Sequence, residues 1–331
     1  MSVLVTGGAG YIGSHTALAL RDRGEDVVVI DNLSTGHRWA VPDHVPLAVG
    51  SVDDAALVAQ AIARHGIDAI IHFAGSIVVP ESVRDPLGYY LNNTVRSHAL
   101  IKIAVEAGVP HFIFSSTAAV YGMPDENPVF EDAPLRPISP YGTSKMMTEL
   151  MLADAAAAHD LTYAALRYFN VAGADPRGRA GQSTANATHL IKTAVQTALG
   201  RRPGMTVFGT DYDTEDGTCV RDYIHVSDLA AAHLDALDYL RGGGESRVLN
   251  CGYGRGFSVR EVIDAVERAA GVRLNVSDGE RRAGDAPALV AGASAIREVL
   301  GWSPKLDDLD TIVAHALAWE RVLARRHSSA A

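Results

Sequence analysis

The chain has 331 residues and a formal net charge of −10, with 47% apolar and 21% charged side chains. At roughly 150 residues per domain this is enough for about two domains with a large core, and the balance excludes a disordered or collagen-like chain. The acidic excess also argues against a nucleic-acid partner, whose binding rests on Lys and Arg neutralising phosphates.

The N-terminus enters an apolar run at once, Val3-Leu4-Val5-Thr6, with no basic flank and no signal-peptide cleavage site. After this first strand, 3–6, the pattern predicts strands at 27–30, 46–49, 69–73, 111–115 and 163–167. They are short and nearly continuous in hydrophobicity, as in strands buried on both faces. Helical patterns at 13–23, 55–65 and 93–107 lie between them. Alternating β and α elements predict an α/β fold built on a doubly wound parallel sheet, assigned to residues 1–170.

From Val171 the texture changes, and residues 171–331 are expected to form a smaller α/β lobe. A polar loop over 175–186 precedes a helix near 188–199, a strand at 206–208 and another loop through Gly217. Arg241-Gly-Gly-Gly-Glu is a tight connection into a strand at 247–251, which is expected to rejoin the main sheet. Helices at 259–270 and 293–300 close the lobe, and the tail His327-Ser-Ser-Ala-Ala is expected to fray. Cys219 and Cys251 are too few for a disulfide framework or a four-cysteine zinc site. They read as buried thiols in a reducing, cytoplasmic compartment, and no metal is expected. No apolar stretch approaches the ~18 residues of a membrane span.

Thr6-Gly7-Gly8-Ala9-Gly10-Tyr11-Ile12-Gly13 follows the first strand and opens the first helix. Glycine at 7, 10 and 13 allows a tight turn and a close backbone approach to a pyrophosphate, which then rests on the free N–H groups of the helix. The second strand ends at Asp31, where a carboxylate can bond both ribose hydroxyls and repel a 2′-phosphate. Strand, glycine turn, helix, strand and acid in this order predict a dinucleotide site that prefers NAD to NADP.

Ser139-Pro140-Tyr141-Gly142-Thr143-Ser144-Lys145 sets a tyrosine and a lysine four residues apart. Pro140 suits the first turn of a helix, so Tyr141 and Lys145 share a face. A phenol ionises near pH ~10, and a nearby ammonium with a cationic nicotinamide favours the phenolate needed for general-base work. The fifth strand ends in Phe114-Ser115-Ser116-Thr117, at the edge where parallel sheets bind ligands. Thr117 is thereby a candidate to hold a substrate hydroxyl and relay its proton to Tyr141.

These residues resemble the extended short-chain dehydrogenase/reductase superfamily, whose nucleotide domain is a Rossmann fold. Arg167-Tyr-Phe-Asn-Val-Ala-Gly-Ala174, Phe208-Gly-Thr-Asp-Tyr212, Glu215-Asp-Gly-Thr-Cys-Val-Arg-Asp-Tyr-Ile-His-Val226 and Arg282-Ala-Gly-Asp-Ala-Pro287 narrow the resemblance to the UDP-glucose 4-epimerase family, also called UDP-galactose 4-epimerase. The resemblance runs from residue 2 to about 320. It implies an NAD-dependent interconversion of UDP-galactose and UDP-glucose through a 4-keto sugar, with Tyr141, Lys145 and Thr117 as catalytic residues. It implies NAD contacts from Gly7, Gly10, Tyr11, Ile12, Gly13, Asp31, Asn32, Phe73, Ala74, Gly75, Asn92, Ser115, Tyr141, Lys145 and Phe169. The nucleotide-sugar falls among Thr117, Tyr141, Asn170, His189, Leu190, Phe208, Arg221, Arg282 and Asp285. Two arginines suit a diphosphate, and an acid suits ribose hydroxyls.

Several positions depart from the family pattern. Thr117 stands where serine is frequent, Ser51 replaces an aspartate, Ile77 a lysine and His189 an asparagine, while Leu289 occupies a position whose size governs access for 2-acetamido sugars. A related nucleotide-sugar 4,6-dehydratase carries Thr-Asp-Glu after the fifth strand, and this chain has Thr117-Ala118-Ala119. A non-catalytic cofactor sensor would lack the Tyr–Lys pair. The resemblance also implies a homodimer through helices 93–107 and 141–158, whose alanines at 153, 155, 156 and 157 permit close approach.

Overall fold

The computed structural model describes residues 1–184, 187–282 and 284–328. The end of the expected polar loop (Ala185, Asn186), Ala283 of the Arg282–Pro287 motif and the last three residues of the tail lie outside the described residues.

All six strands expected in the first 170 residues form, each within two residues of its expected bounds. In order the chain builds β1 (Ser2–Thr6), α1 (Tyr11–Asp22), β2 (Asp26–Asp31), β3 (Leu47–Val49), α2 (Ala55–His65) and β4 (Ile67–His72). Two short helices, α3 (Val79–Arg84) and α4 (Pro86–Tyr89), precede α5 (Arg96–Glu106), β5 (His111–Thr117), α6 (Pro140–Ala158) and β6 (Thr162–Tyr168). The helix expected to start at residue 93 is wound as a π-helix over Tyr90–Val95 and becomes α-helical only at Arg96. That widened turn, of a kind often found at functional sites, carries Asn92 and Asn93.

The second half supplies β7 (Asn170–Ala172), α7 (Leu190–Ala198), β8 (Met205–Phe208), β9 (Val220–His225), α8 (Val226–Arg241) and β10 (Arg247–Cys251). It ends with β11 (Gly256–Ser258), α9 (Val259–Ala270), β12 (Val276–Gly279), β13 (Ala288–Leu289), α10 (Ser294–Leu300) and α11 (Leu309–Ser328). The main sheet has seven parallel strands in the order β10-β6-β5-β4-β1-β2-β3. The chain leaves β1 in one direction toward β2 and β3, then crosses to β4 on the other side of β1. The ligand crevice of such a sheet opens at this reversal, beyond the carboxyl ends of β1 and β4.

Period-two alternation explains the two covered faces. Leu4, Val28, Ile30, Ile70, Phe112 and Phe114 face α2, α5 and α6. Val3, Val5, Val27, Val29, Ala69 and Ile71 face α1 and the Leu234–Leu237–Leu240 stripe of α8. Both α8 and β10 therefore return from beyond residue 170 to finish the nucleotide sheet, β10 pairing with β6 from Arg247↔Ala164 to Cys251↔Tyr168. The smaller lobe packs β7, β9, β11 and β13 against α7, α9 and α11 around Trp302, Ile312 and Val313. Among the described residues no helix is long and apolar enough to cross a membrane.

Candidate active site

The glycine turn is shaped by what cannot fit. A Cβ on Gly7, whose φ is +70°, would sit 2.7 Å from Ala74 N, and one on Gly13 would lie 2.3 Å from Gly7 O. The turn consequently lies against Phe73-Ala74-Gly75, the segment leaving β4, and Phe73 N donates to Thr6 O at 3.0 Å. No side chain caps α1 at Gly10, and its first turn carries no acid, so its N–H dipoles present positive charge to the crevice. The Asp31 carboxylate, 8% exposed, accepts from Ala9 N at 2.9 Å and Leu33 N at 2.7 Å. An uncapped helix start, a glycine floor and an acid at the end of β2 fit a dinucleotide, and Asp31 closes the turn.

Other expected cofactor residues divide by role. The Tyr11 hydroxyl donates to Gly173 O at 2.7 Å, tying α1 to the second lobe and leaving backbone N–H groups at positions 11–13 as the turn's contribution. Asn32 accepts from Ser34 N at 3.0 Å. Asn92 bridges Ser76 Oγ (2.8 Å) and Arg96 (2.7 Å). Phe169 is buried, and Ser115 Oγ is engaged by Tyr168 OH at 2.6 Å, leaving its carbonyl to the helix α6 side.

That carbonyl accepts from Lys145 Nζ at 3.0 Å, with the ammonium 4.9 Å from the centre of the Phe114 ring. Ser139 caps α6 by accepting from Gly142 N, and Pro140 occupies its first turn, which sets Tyr141 and Lys145 on the buried face. Burial pushes the Tyr141 phenol up, opposed by a hydrogen bond from the Thr117 side chain. Burial lowers Lys145 to about 8, opposed by the Glu149 carboxylate. The phenol is thus not activated by its protein surroundings alone; cationic charge beside it must supply the rest.

Two groups behind this cluster were not expected from the sequence. Asn93 accepts from Ser76 N at 2.7 Å and donates to Ser76 O and Ser144 Oγ, locking the loop after β4 to α6. Glu149, one turn beyond Lys145, forms a buried pair with Arg167 at 2.6 Å and takes a hydrogen bond from Ser116. The signal was present in α6: five of its buried positions, 141, 144, 145, 148 and 149, are polar, and a buried carboxylate requires a partner.

In the second lobe the expected nucleotide-sugar residues form two neighbouring groups. Arg221 reaches Asp285 at 3.3 Å, and its strand β9 pairs with β13 so that Leu289 lies beside Arg221. The Arg282 guanidinium stacks 3.9 Å from the centre of the Phe208 ring. Asn170 begins β7, Leu190 begins α7, and His189 Nδ1 is 2.8 Å from Gln182 Nε2, with burial lowering its pKa. Of the departures, Ser51 is half-buried, and Ile77 is 45% exposed.

Residues 3–252 match the NAD dependent epimerase/dehydratase family. A UDP-glucose 4-epimerase of Azospirillum brasilense is 60% identical over 97% of this chain and 92% of that protein. The chain belongs to the UDP-glucose 4-epimerase family. Among solved structures, the Brucella ovis UDP-glucose 4-epimerase in complex with NAD superposes with a TM-score of 0.93, at 45% identity over 96% of this chain and 97% of that one. The Bifidobacterium longum enzyme, in complex with NAD+ and UDP, gives 0.92 at 39% identity over 97% and 98%. As a member of this family the chain is an NAD-dependent enzyme, and the crevice described above fits that cofactor.

Proposed function

We propose that the Thr117–Tyr141–Lys145 cluster interconverts UDP-galactose and UDP-glucose at C4. When bound, NAD takes the C4 hydride and, as NADH, returns it to the other face of a transient 4-keto sugar. Tyr141 removes the proton from the sugar 4-hydroxyl, directly or through Thr117, and gives it back after the keto sugar has turned. Lys145 holds positive charge beside the cluster and fixes it to the strand through Ser115 O. Arg221 and Arg282 grip the diphosphate and Asp285 a ribose hydroxyl, so the UDP is held firmly while the hexose is free to rotate. The observation that carries this reading is the Lys145 Nζ–Ser115 O hydrogen bond, which fixes Lys145, one helical turn from buried Tyr141, to the carboxyl end of β5 next to buried Thr117.

The protein acts as a cytoplasmic homodimer. Support for the dimer comes from an apolar strip along α4, the π-helical turn and α6, where Leu87, Leu91, Val95 and Leu150 are each more than half exposed. Of the alanines proposed for close approach, Ala155 and Ala156 pack inward on the nucleotide-domain core, so the larger side chains carry the contact. Support for the compartment is that Cys219 and Cys251 are buried and unbridged.

Purified protein mixed with UDP-galactose and no added cofactor tests the function. Accumulation of UDP-glucose to a fixed equilibrium ratio is expected, and unchanged UDP-galactose would refute it.

A further inference from the structure

The connection from β2 to β3, residues 32–46, folds back over the Asp31 end of the nucleotide crevice yet has almost no core of its own. Val45 is its buried side chain, and the single 3-10 turn at Arg38–Ala40 has neither a buried residue nor a side-chain cap. Its inner edge is fitted to the cofactor turn. Leu33 N donates to Asp31, His37 N donates to Ala9 O at 2.9 Å, and a Cβ on Gly36 would lie 2.9 Å from Ala9.

Its outer edge is held from the far end of the chain. The His37 ring stacks on Trp39 at 5.0 Å and 12°, and its Nε2 donates to Ser183 O at 3.3 Å. Trp39, 39% exposed, meets Trp319 of α11 at 6.1 Å between ring centres. The Arg326 guanidinium covers both rings, 4.6 Å from Trp39 and 5.9 Å from Trp319. Trp319 itself cannot move: it is 2% exposed and packs where a Cβ on Gly181 would come within 2.3 Å of its ring. Its neighbour Glu320 is fixed by buried Lys192 and by Arg201. A rigid post on the last helix thus meets a loop whose other polar hold on that side is the His37–Ser183 hydrogen bond.

We propose that Trp39 is a cofactor-retaining residue: tilted against Trp319 beneath Arg326, it clasps the 32–40 segment shut over the Asp31 end of the NAD groove. The inference rests on the assignment of NAD to this groove. Trp39 acts through the loop, so it is a positioning residue. An aromatic pair and an exposed cation–π contact together shift such a closed–open balance by about 10-fold.

The test is the exchange rate of bound NAD. Protein as purified is mixed with excess isotopically labelled NAD, desalted at intervals, and the released dinucleotide is read by mass. The clasp predicts that Trp39→Ala exchanges about 10-fold faster than the parent, that Trp39→Phe exchanges at close to the parent rate, and that saturating NAD restores kcat with KM for UDP-galactose at the parent value. Trp39→Ala exchanging as slowly as the parent would overturn the clasp while leaving the NAD groove intact. So would a loss of kcat that added NAD does not restore. A parent protein that carries neither its own NAD as purified nor labelled NAD after mixing would overturn the groove assignment and the clasp with it.

Discussion

Lys145 is a charge that the fold tolerates for the sake of the site, and its removal should stabilise the protein. Its pKa falls from 10.5 to about 8 because the ammonium is buried. Each unit is worth about 1.4 kcal/mol, so at pH 7 the folded protein carries a penalty of about 3 kcal/mol for keeping it charged. Lys145→Met retains the length of the side chain and removes the charge. It also deletes the bond to Ser115 O, about 1 kcal/mol, leaving a net gain of about 2 kcal/mol. With an unfolding entropy of about 2.1 cal/mol/K per residue, that gain raises Tm by about 3 °C in a chain of this length.

The pH dependence separates this from a general packing effect. Below pH 8 the lysine is charged in both folded and unfolded protein, and the penalty is complete. Between about 8 and 10.5 the folded lysine sheds its proton while the unfolded one keeps it, so the penalty fades and the advantage of Lys145→Met fades with it. Urea unfolding of cofactor-free parent and variant from pH 7 to 10.5, alongside kcat, gives both quantities. A variant less stable than the parent at pH 7, or a stability difference that does not change with pH, would show that the buried charge carries no such penalty. The same variant should be nearly inactive.

Tyr141→Phe should lower kcat by ~10²–10⁴ with little change in UDP-sugar binding, since it removes a positioned base and leaves the diphosphate grip intact; near-normal turnover would take Tyr141 out of the mechanism. Leu289→Tyr, which enlarges the residue beside Arg221, should suppress turnover of UDP-N-acetylglucosamine more than that of UDP-galactose, by a factor corresponding to ~1–3 kcal/mol. Equal losses measured on the two substrates would remove position 289 as a size gate. Leu91→Arg with Leu150→Arg should convert a dimer to single chains in light scattering while the parent remains dimeric, because the pair places charge in the exposed apolar strip.

What the sequence made legible was what local chemistry dictates. Short apolar runs such as 3–6 and 111–115 can only be strands buried on both faces, and glycine at 7, 10 and 13 before Asp31 fixes a turn that only a close backbone approach explains. Tyr141 and Lys145 fell on one face because Ser139 and Pro140 start the helix just before them. What stayed hidden depends on contacts distant in sequence. Helix α8 is rich in alanine, so its apolar stripe is shallow, and its place under the nucleotide sheet is set by β10 returning beside β6. Asn93 and the Glu149–Arg167 pair gain meaning only once β5, β6 and α6 are side by side. Trp39 and Trp319 meet across 280 residues, and no spacing rule connects them.

In epimerisation within one closed site, C4 loses and regains the same hydride. UDP-galactose carrying deuterium at C4 should be converted to UDP-glucose in ordinary water, and the product examined by NMR. Deuterium should stay at C4 at full enrichment, with none elsewhere in the ring and none lost to solvent. Washout of the label into water, or its appearance at C3 or C5, would contradict it.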